Sequence, residues 1–296
     1  DNTMPGLDEK RLIRFDWAAK YMLRDKSNFD ILEGFLTALL EKDIKIINLL
    51  ESESNQEDET DKFNRVDLLT VDDKGDYIII EIQNEREIHY LERLLYGASK
   101  LIVENLKLGE CYRQIKKVIS ISILYFTLGD KVDDYVYYGN TEFRGIHTNN
   151  PLILRRKDKE TINTIETKEI YPEYYLIEVE KFEDVIQSDL DEWIYFLKNE
   201  CIKDDFKSKN IKKVNEKLDI MKMEKEDRKR YERYLMNLAS EIDIIEGARE
   251  EGWEEGRKEG RKETAKNMIE FGMSSEDIAK ICGITKVEVD MIKDVK

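Results

Sequence analysis

The stretch RVDLLTVDDKGDYIIIEIQ, residues 65–83, reads as two apolar strands about a tight turn, with a carboxylate set into each strand. With Asp73, Lys74 and Gly75 as a three-residue loop, Gly75 takes the left-handed position that such a loop requires. Counting outward then opposes Asp72 to Asp76, Leu69 to Ile79 and Asp67 to Glu81. Directly opposed residues share one face of the ribbon. Gln83, two residues beyond Glu81, lies on that face too. A loop one residue longer or shorter would carry Asp67 to the other side.

The segment YIIIEI is continuously apolar, the pattern of a central strand covered on both faces. Two carboxylates facing each other there repel and lose hydration, a cost of several kcal/mol unless something compensates. A divalent cation is the simplest compensator, and oxygen ligands from adjacent strands suit magnesium or manganese. Such an ion can polarise a phosphoryl oxygen and acidify a bound water. Gln83 does not titrate, so its part would be to orient that water or to donate to a phosphate. On spacing alone a second reading stands beside this one: an edge hairpin with a wet face and ordinary solvated acids.

Composition narrows the setting. The chain has 296 residues, 41% apolar and 39% charged, which suits a folded core carrying long solvated helices. No apolar run is long enough for a membrane span, and no leader-like segment is expected. Three scattered cysteines, Cys111, Cys201 and Cys282, form no disulfide framework and fit a reducing cytoplasm. Two histidines and no paired-Cys motif argue against zinc. The formal charge of −16 opposes generic attraction to nucleic acid, although a bound dication inverts the sign of an acidic site.

Outward from the hairpin, residues 13–24 and 28–40 show apolar positions at helical spacing. KDIKIINLLES fits either a short helix or a strand, and the acidic stretch 52–62 a loop. Residues 86–106 predict a long amphipathic helix ending near Gly109, and KKVISISILYF a buried strand. Further strands are expected within 133–180. Beyond about residue 185 the chain reads as helix. Glycines 247, 252, 256 and 260 make an isolated helix unfavourable there, since each costs ~1 kcal/mol against alanine; a close helix–helix contact and a flexible connector both explain them. The layout predicts an α/β core over 1–185, a helical extension with a glycine-striped connector over 186–262, and a small helical tail over 263–296.

RVDLLTVDDKGDYIIIEIQ, followed by ERLLYGASKL and LGECYRQIKKVISISIL, resembles the PD-(D/E)XK nuclease-like transposases, the recombination-promoting nuclease group. FDWAAKYML and ILEGFLTALL resemble that family's N-terminal helices, so the likeness runs over about residues 13–180. It implies a restriction-endonuclease-like mixed sheet flanked by helices and magnesium-dependent cleavage of DNA. Asp67 matches the first motif acid and Glu81 the second, with the Ile82 carbonyl as a further metal ligand. Gln83 stands where many relatives carry lysine, which leaves open the group that stabilises the transition state. Glu33 is the matching acid of the first core helix; a wet-face glutamate is the alternative.

Several other polar residues are candidates. Arg93 is read as a phosphate ligand through its planar fork, against a plain surface arginine. Tyr96 could donate to the same phosphate or pack in the core. Asp16 and Lys20 predict an i,i+4 pair, with contact to the site as the alternative. LRRKDK, 154–159, is the best local basic patch of the core, with a solvated turn as the favoured reading. In the tail, Ser274 with Asp277 and Thr285 with Glu288 mark two capping boxes. With Ala279, Gly283 and Val289 they resemble a helix-turn-helix, but Glu288, Asp290 and Asp294 offset the lysines of its second helix. Self-association through the C-terminal helices is the favoured role. The sequence therefore supports a DNA endonuclease first, and second a catalytically degenerate nuclease fold serving as a DNA- or protein-binding or oligomerisation module.

Overall fold

The computed structural model of the chain describes residues 11–50, 65–106, 111–128, 134–158 and 160–294. The acidic stretch 52–62 and the helix end expected near Gly109 lie outside them. The chain divides into two compact units, 1–229 and 230–296.

The first unit opens with helices α1 (Phe15–Tyr21) and α2 (Phe29–Leu40). KDIKIINLLES resolves as a strand, β1 (Ile46–Leu50). The hairpin follows as β2 (Arg65–Asp72) and β3 (Tyr77–Gln83). Helix α3 (Tyr90–Asn105) then crosses to β4 (Val118–Leu124), which lies parallel to β3. Strands β5 (Val136–Gly139), β6 (Ile153–Asp158), β7 (Thr161–Glu166) and β8 (Glu173–Glu178) come next. The main sheet is mixed, in the order β1-β2-β3-β4-β8-β5, and β6 with β7 forms a separate two-stranded ribbon. LRRKDK is therefore largely strand, not turn. Most of that ribbon is exposed on both faces, so its sequence carries no apolar alternation by which a strand could be read.

α3 covers one face of the sheet. Ala98 and Leu101 pack with Val118, Leu69 and Ile79, while Tyr90 and Leu94 pack with Leu124 and Leu176. On the opposite face Leu68, Ile78, Ile80, Ile121, Ile123 and Ile177 are fully buried, with α1 lying against β2. Phe15 and Phe35 meet ring to ring, and Phe35 meets Trp193 of α4 (Asp189–Asn199). α2 comes so close to this neighbour that a Cβ on Gly34 would sit 2.6 Å from the Trp193 ring and 2.5 Å from the Lys209 carbonyl oxygen. Burying both faces of β3 explains its unbroken isoleucines, and it is what makes Glu81 conspicuous.

After α5 (Ile211–Lys217), α6 runs unbroken from Lys225 to Glu270. Glycines 247, 252, 256 and 260 all lie inside it, and a Cβ on any of them would meet nothing within 4 Å. Neither a tight contact nor a break accounts for them in this chain. The flanking Glu, Lys, Arg and Ala residues are strong helix formers, and propagation past a glycine costs far less than starting anew.

Within the second unit, the end of α6 packs with α7 (Ser275–Cys282) and α8 (Lys286–Asp294) around Ala265, Ile278, Cys282 and Val289. Both capping signals hold. The Ser274 hydroxyl accepts the Asp277 N–H at 3.2 Å. Thr285 accepts from the Glu288 N–H at 3.2 Å while its own N–H donates to Glu288 Oε2 at 2.7 Å. Gly283 turns the chain between the helices with φ 62°.

Candidate active site

The turn fixes the geometry. Gly75 has φ 82°, and its N–H closes onto the Asp72 carbonyl at 3.0 Å. The resulting register sets Asp67 opposite Glu81 and Arg65 opposite Gln83. Across the parallel neighbour, Glu81 is level with Ser122 of β4, and Ser122 with Leu176 of β8. Glu81 and Gln83 are each 6% exposed and Ser122 is sealed, whereas Asp67 is half-buried. An acidic row thus enters the sheet on the face that α3 covers.

The start of α3 brings a cation to that row. Arg93 Nη1 donates to Glu81 Oε2 at 3.0 Å, and Nη2 donates to Glu81 Oε1. The same Nη2 donates to Gln83 Oε1 at 2.6 Å, and Nε lies 2.7 Å from Glu87 Oε2. Gln83 Nε2 donates to the Glu85 carbonyl at 2.9 Å, which orients the amide so that its oxygen faces the guanidinium. Beneath Arg93, 5.0 Å away, is the ring of Tyr90. Burial works against the charge of Arg93, but the Glu81 hydrogen bonds and the charges of Glu81 and Glu87 together hold the guanidinium above its ordinary value. Burial, and then the Glu81 carboxylate, push the Tyr90 phenol up.

The donor set suits a hard dication. Glu81 and Gln83 already turn three oxygens toward one positive charge, and Asp67 stands on the same face. Among the described residues no group of three or more His, Cys, Asp or Glu side chains could hold a metal. A metal here would rest on two carboxylates, a backbone carbonyl such as that of Ile82, and water, the sparse protein ligation that magnesium accepts.

The other candidates fall elsewhere. Glu33 is buried, and its Oε1 accepts the Ile46 N–H at 2.9 Å. Ile46 pairs with Asp72, so Glu33 anchors β1 at the far end of β2, five residues from Asp67, or ~16 Å of strand. Tyr96 is 68% exposed on α3, away from both the acids and the core. Asp16 does not pair with Lys20. It accepts from Arg14 Nη2 at 3.1 Å, from Asn84 Nδ2 at 3.3 Å and from the Trp17 N–H at 2.7 Å, while Lys20 stands over the Tyr21 ring. Arg14 also donates to Glu200 at 3.3 Å and lies 5.0 Å from the Tyr125 ring. This second polar network sits at the end of β3, with Asn84 directly after Gln83. Of this network only Asp16 stood out in sequence; Arg14, Asn84 and Glu200, like Glu87 and Tyr90, meet their partners only through the fold.

Sheet order, parallel centre and flanking helices define a restriction-endonuclease-like α/β core. The chain belongs to the PD-(D/E)XK nuclease family transposases, whose family model matches residues 13–248. No curated protein and no solved structure matches it.

Proposed function

We propose that this chain is a magnesium- or manganese-dependent endonuclease that hydrolyses DNA phosphodiester bonds in recombination or in the movement of mobile elements. The observation that carries this reading is the row of Asp67, Glu81 and Gln83 on one face, in which the buried Glu81 and Gln83 already face a cation. Asp67 and Glu81 would hold the ion, with the Ile82 carbonyl beside them. Bound there, a dication supplies Lewis acidity toward a phosphoryl oxygen and a more acidic water. Gln83 orients water or substrate through hydrogen bonds without exchanging a proton. Arg93, once displaced from Glu81, has the planar fork to take a phosphate oxygen.

Plasmid nicking with magnesium tests this. Asp67→Ala and Glu81→Ala should each reduce nicking by at least about a hundredfold, on the order of the loss of a key electrostatic group. Activity unchanged in both variants would remove the assignment.

A second reading, a degenerate core that only binds, draws on Arg93 as well: it compensates Glu81 without any metal. Calorimetric titration with Mn2+ separates the two, because the binding module takes up none.

We further infer cytoplasmic residence from the free thiols of Cys111, Cys201 and Cys282. No helix among the described residues is long and apolar enough to cross a membrane. Self-association is inferred through α6, where Ile242, Ile244, Ile245 and Trp253 are exposed. Light scattering on a chain truncated near residue 240 checks it; an unchanged mass would dismiss the idea.

A further inference from the structure

Beyond residue 248, where the family match ends, the second unit carries a groove of about 600 Å³ between the end of α6 and α8. Lys258, Arg261, Lys262 and Lys266 line one wall, and Ile284, Met291 and Ile292 line the other with Gly283 at the turn. The three lysines are four residues apart, so they form one stripe ~12 Å long on α6, with Arg261 at its side. None of these four cations has an ion-pair partner within 4.0 Å among the described residues. The lone acid of the lining, Glu288, is engaged at the start of α8, where its Oε2 accepts both the N–H and the hydroxyl of Thr285.

Four cations with no direct ion pair among the described residues stand against one lining acid, Glu288, whose carboxylate Lys262 and Arg261 help to stabilise. In a chain of net charge −16 they mark the groove as a place for an anion. Their spread along the helix suits a repeating charge better than a single one. Successive phosphates of one DNA strand are spaced ~3.4 Å along the duplex axis, so a ~12 Å stripe passes three or four of them. The outer side of α8 is a poor reader of bases, since Asp290 and Asp294 interrupt its lysines. A contact confined to the backbone makes no demand on that helix.

We propose that this groove is a sequence-independent binding site for the phosphate backbone of DNA, with Lys258, Arg261, Lys262 and Lys266 as its contacts. The choice of DNA as the anion rests on the endonuclease reading, but the site is separate from the acidic row and belongs to the other unit. It gives an acidic chain a handle on a substrate that its net charge repels.

The test uses the full chain and a short fluorescent duplex in EDTA, with anisotropy followed across a salt series. Each phosphate neutralised contributes about −0.9 to the slope of log affinity against log salt. The variant K258Q/R261Q/K262Q/K266Q should bind more weakly, with a slope shallower by about 3 to 4. Equal affinity and equal slope in variant and wild type would overturn the proposal. So would a variant that loses only self-association in light scattering, which would mean that the groove holds protein. Circular dichroism checks folding; should the quadruple variant lose helix, Lys262→Gln with Lys266→Gln takes its place, with an expected loss of about 1.8 in slope. Nicking by wild type and Asp67→Ala, run in parallel, reports on the active site alone. A missing nicking activity with an altered salt slope leaves the groove standing, and intact nicking with an unaltered slope removes only the groove.

Discussion

The guanidinium of Arg93 bridges Glu81 and Gln83, donating to both Glu81 oxygens and to the Gln83 amide oxygen. It occupies the side of Glu81 from which a metal would draw its ligand. On the proposed reading an ion and the arginine would compete for one carboxylate, so this pair would have to open before a metal could bind.

Arg93→Gln should separate the two roles. Charge-assisted hydrogen bonds of this kind contribute about 1.5–3 kcal/mol, so their loss should tighten Mn2+ binding by about tenfold or more. In EDTA the same variant should unfold at lower urea, by about 1–3 kcal/mol, because Glu81 is left buried without its partner. Calorimetry and urea titration read the two effects. A variant with weaker Mn2+ binding would show that Arg93 supports the ion and does not compete with it.

Gly34 is a packing requirement. A methyl group there would strike the Lys209 carbonyl and the Trp193 ring at 2.5 and 2.6 Å. Gly34→Ala should therefore destabilise the first unit by about 1–3 kcal/mol, although alanine favours helix. A urea midpoint at or above that of wild type would show that α2 and α4 separate easily.

For the glycines of α6 the sign reverses. Gly252→Ala and Gly256→Ala add a methyl to open space, so each should stabilise α6 by up to ~1 kcal/mol. Thermal melting followed at the helical band checks this, and a lower melting temperature would reveal a close approach at the stripe.

Asp76 supplies a pH dependence. Its carboxyl is pushed above the ordinary range, first by burial and then by Asp72. For an acid whose folded value is raised, the fold favours the protonated form. The penalty is complete above the folded value and fades as pH falls toward the unfolded value of about 3.9. Asp76→Asn should therefore raise the urea midpoint at pH 7, with the difference closing near pH 4. A gap that stays constant across this range would assign the effect to packing.

The acidic hairpin was legible because parity is local: a glycine turn and two acids equidistant from it fix a shared face. The same holds for the N-caps at Ser274 and Thr285, whose partners lie three residues away. Ile46–Leu50 was ambiguous because five residues are too few to show a period. The placement of Glu33 could not be read, since its partner is a backbone N–H thirteen residues on and in another element. Arg93 was visible as a candidate, but not its attachment to Glu81, which depends on how the six residues between β3 and α3 turn. The glycines of α6 misled because local propensity is a small cost against a long run of helix-forming neighbours.

Adjacent residues on a strand look out of opposite sides, and at the end of β3 this gives Gln83 and Asn84 different masters. Gln83 answers to α3 through Arg93, and Asn84 to the start of α1 through Arg14 and Asp16. Two distant parts of the polypeptide thus steer one dipeptide like opposed reins. A substitution at Arg14 or Asp16 would therefore be felt, through Asn84, at the neighbouring Gln83 amide.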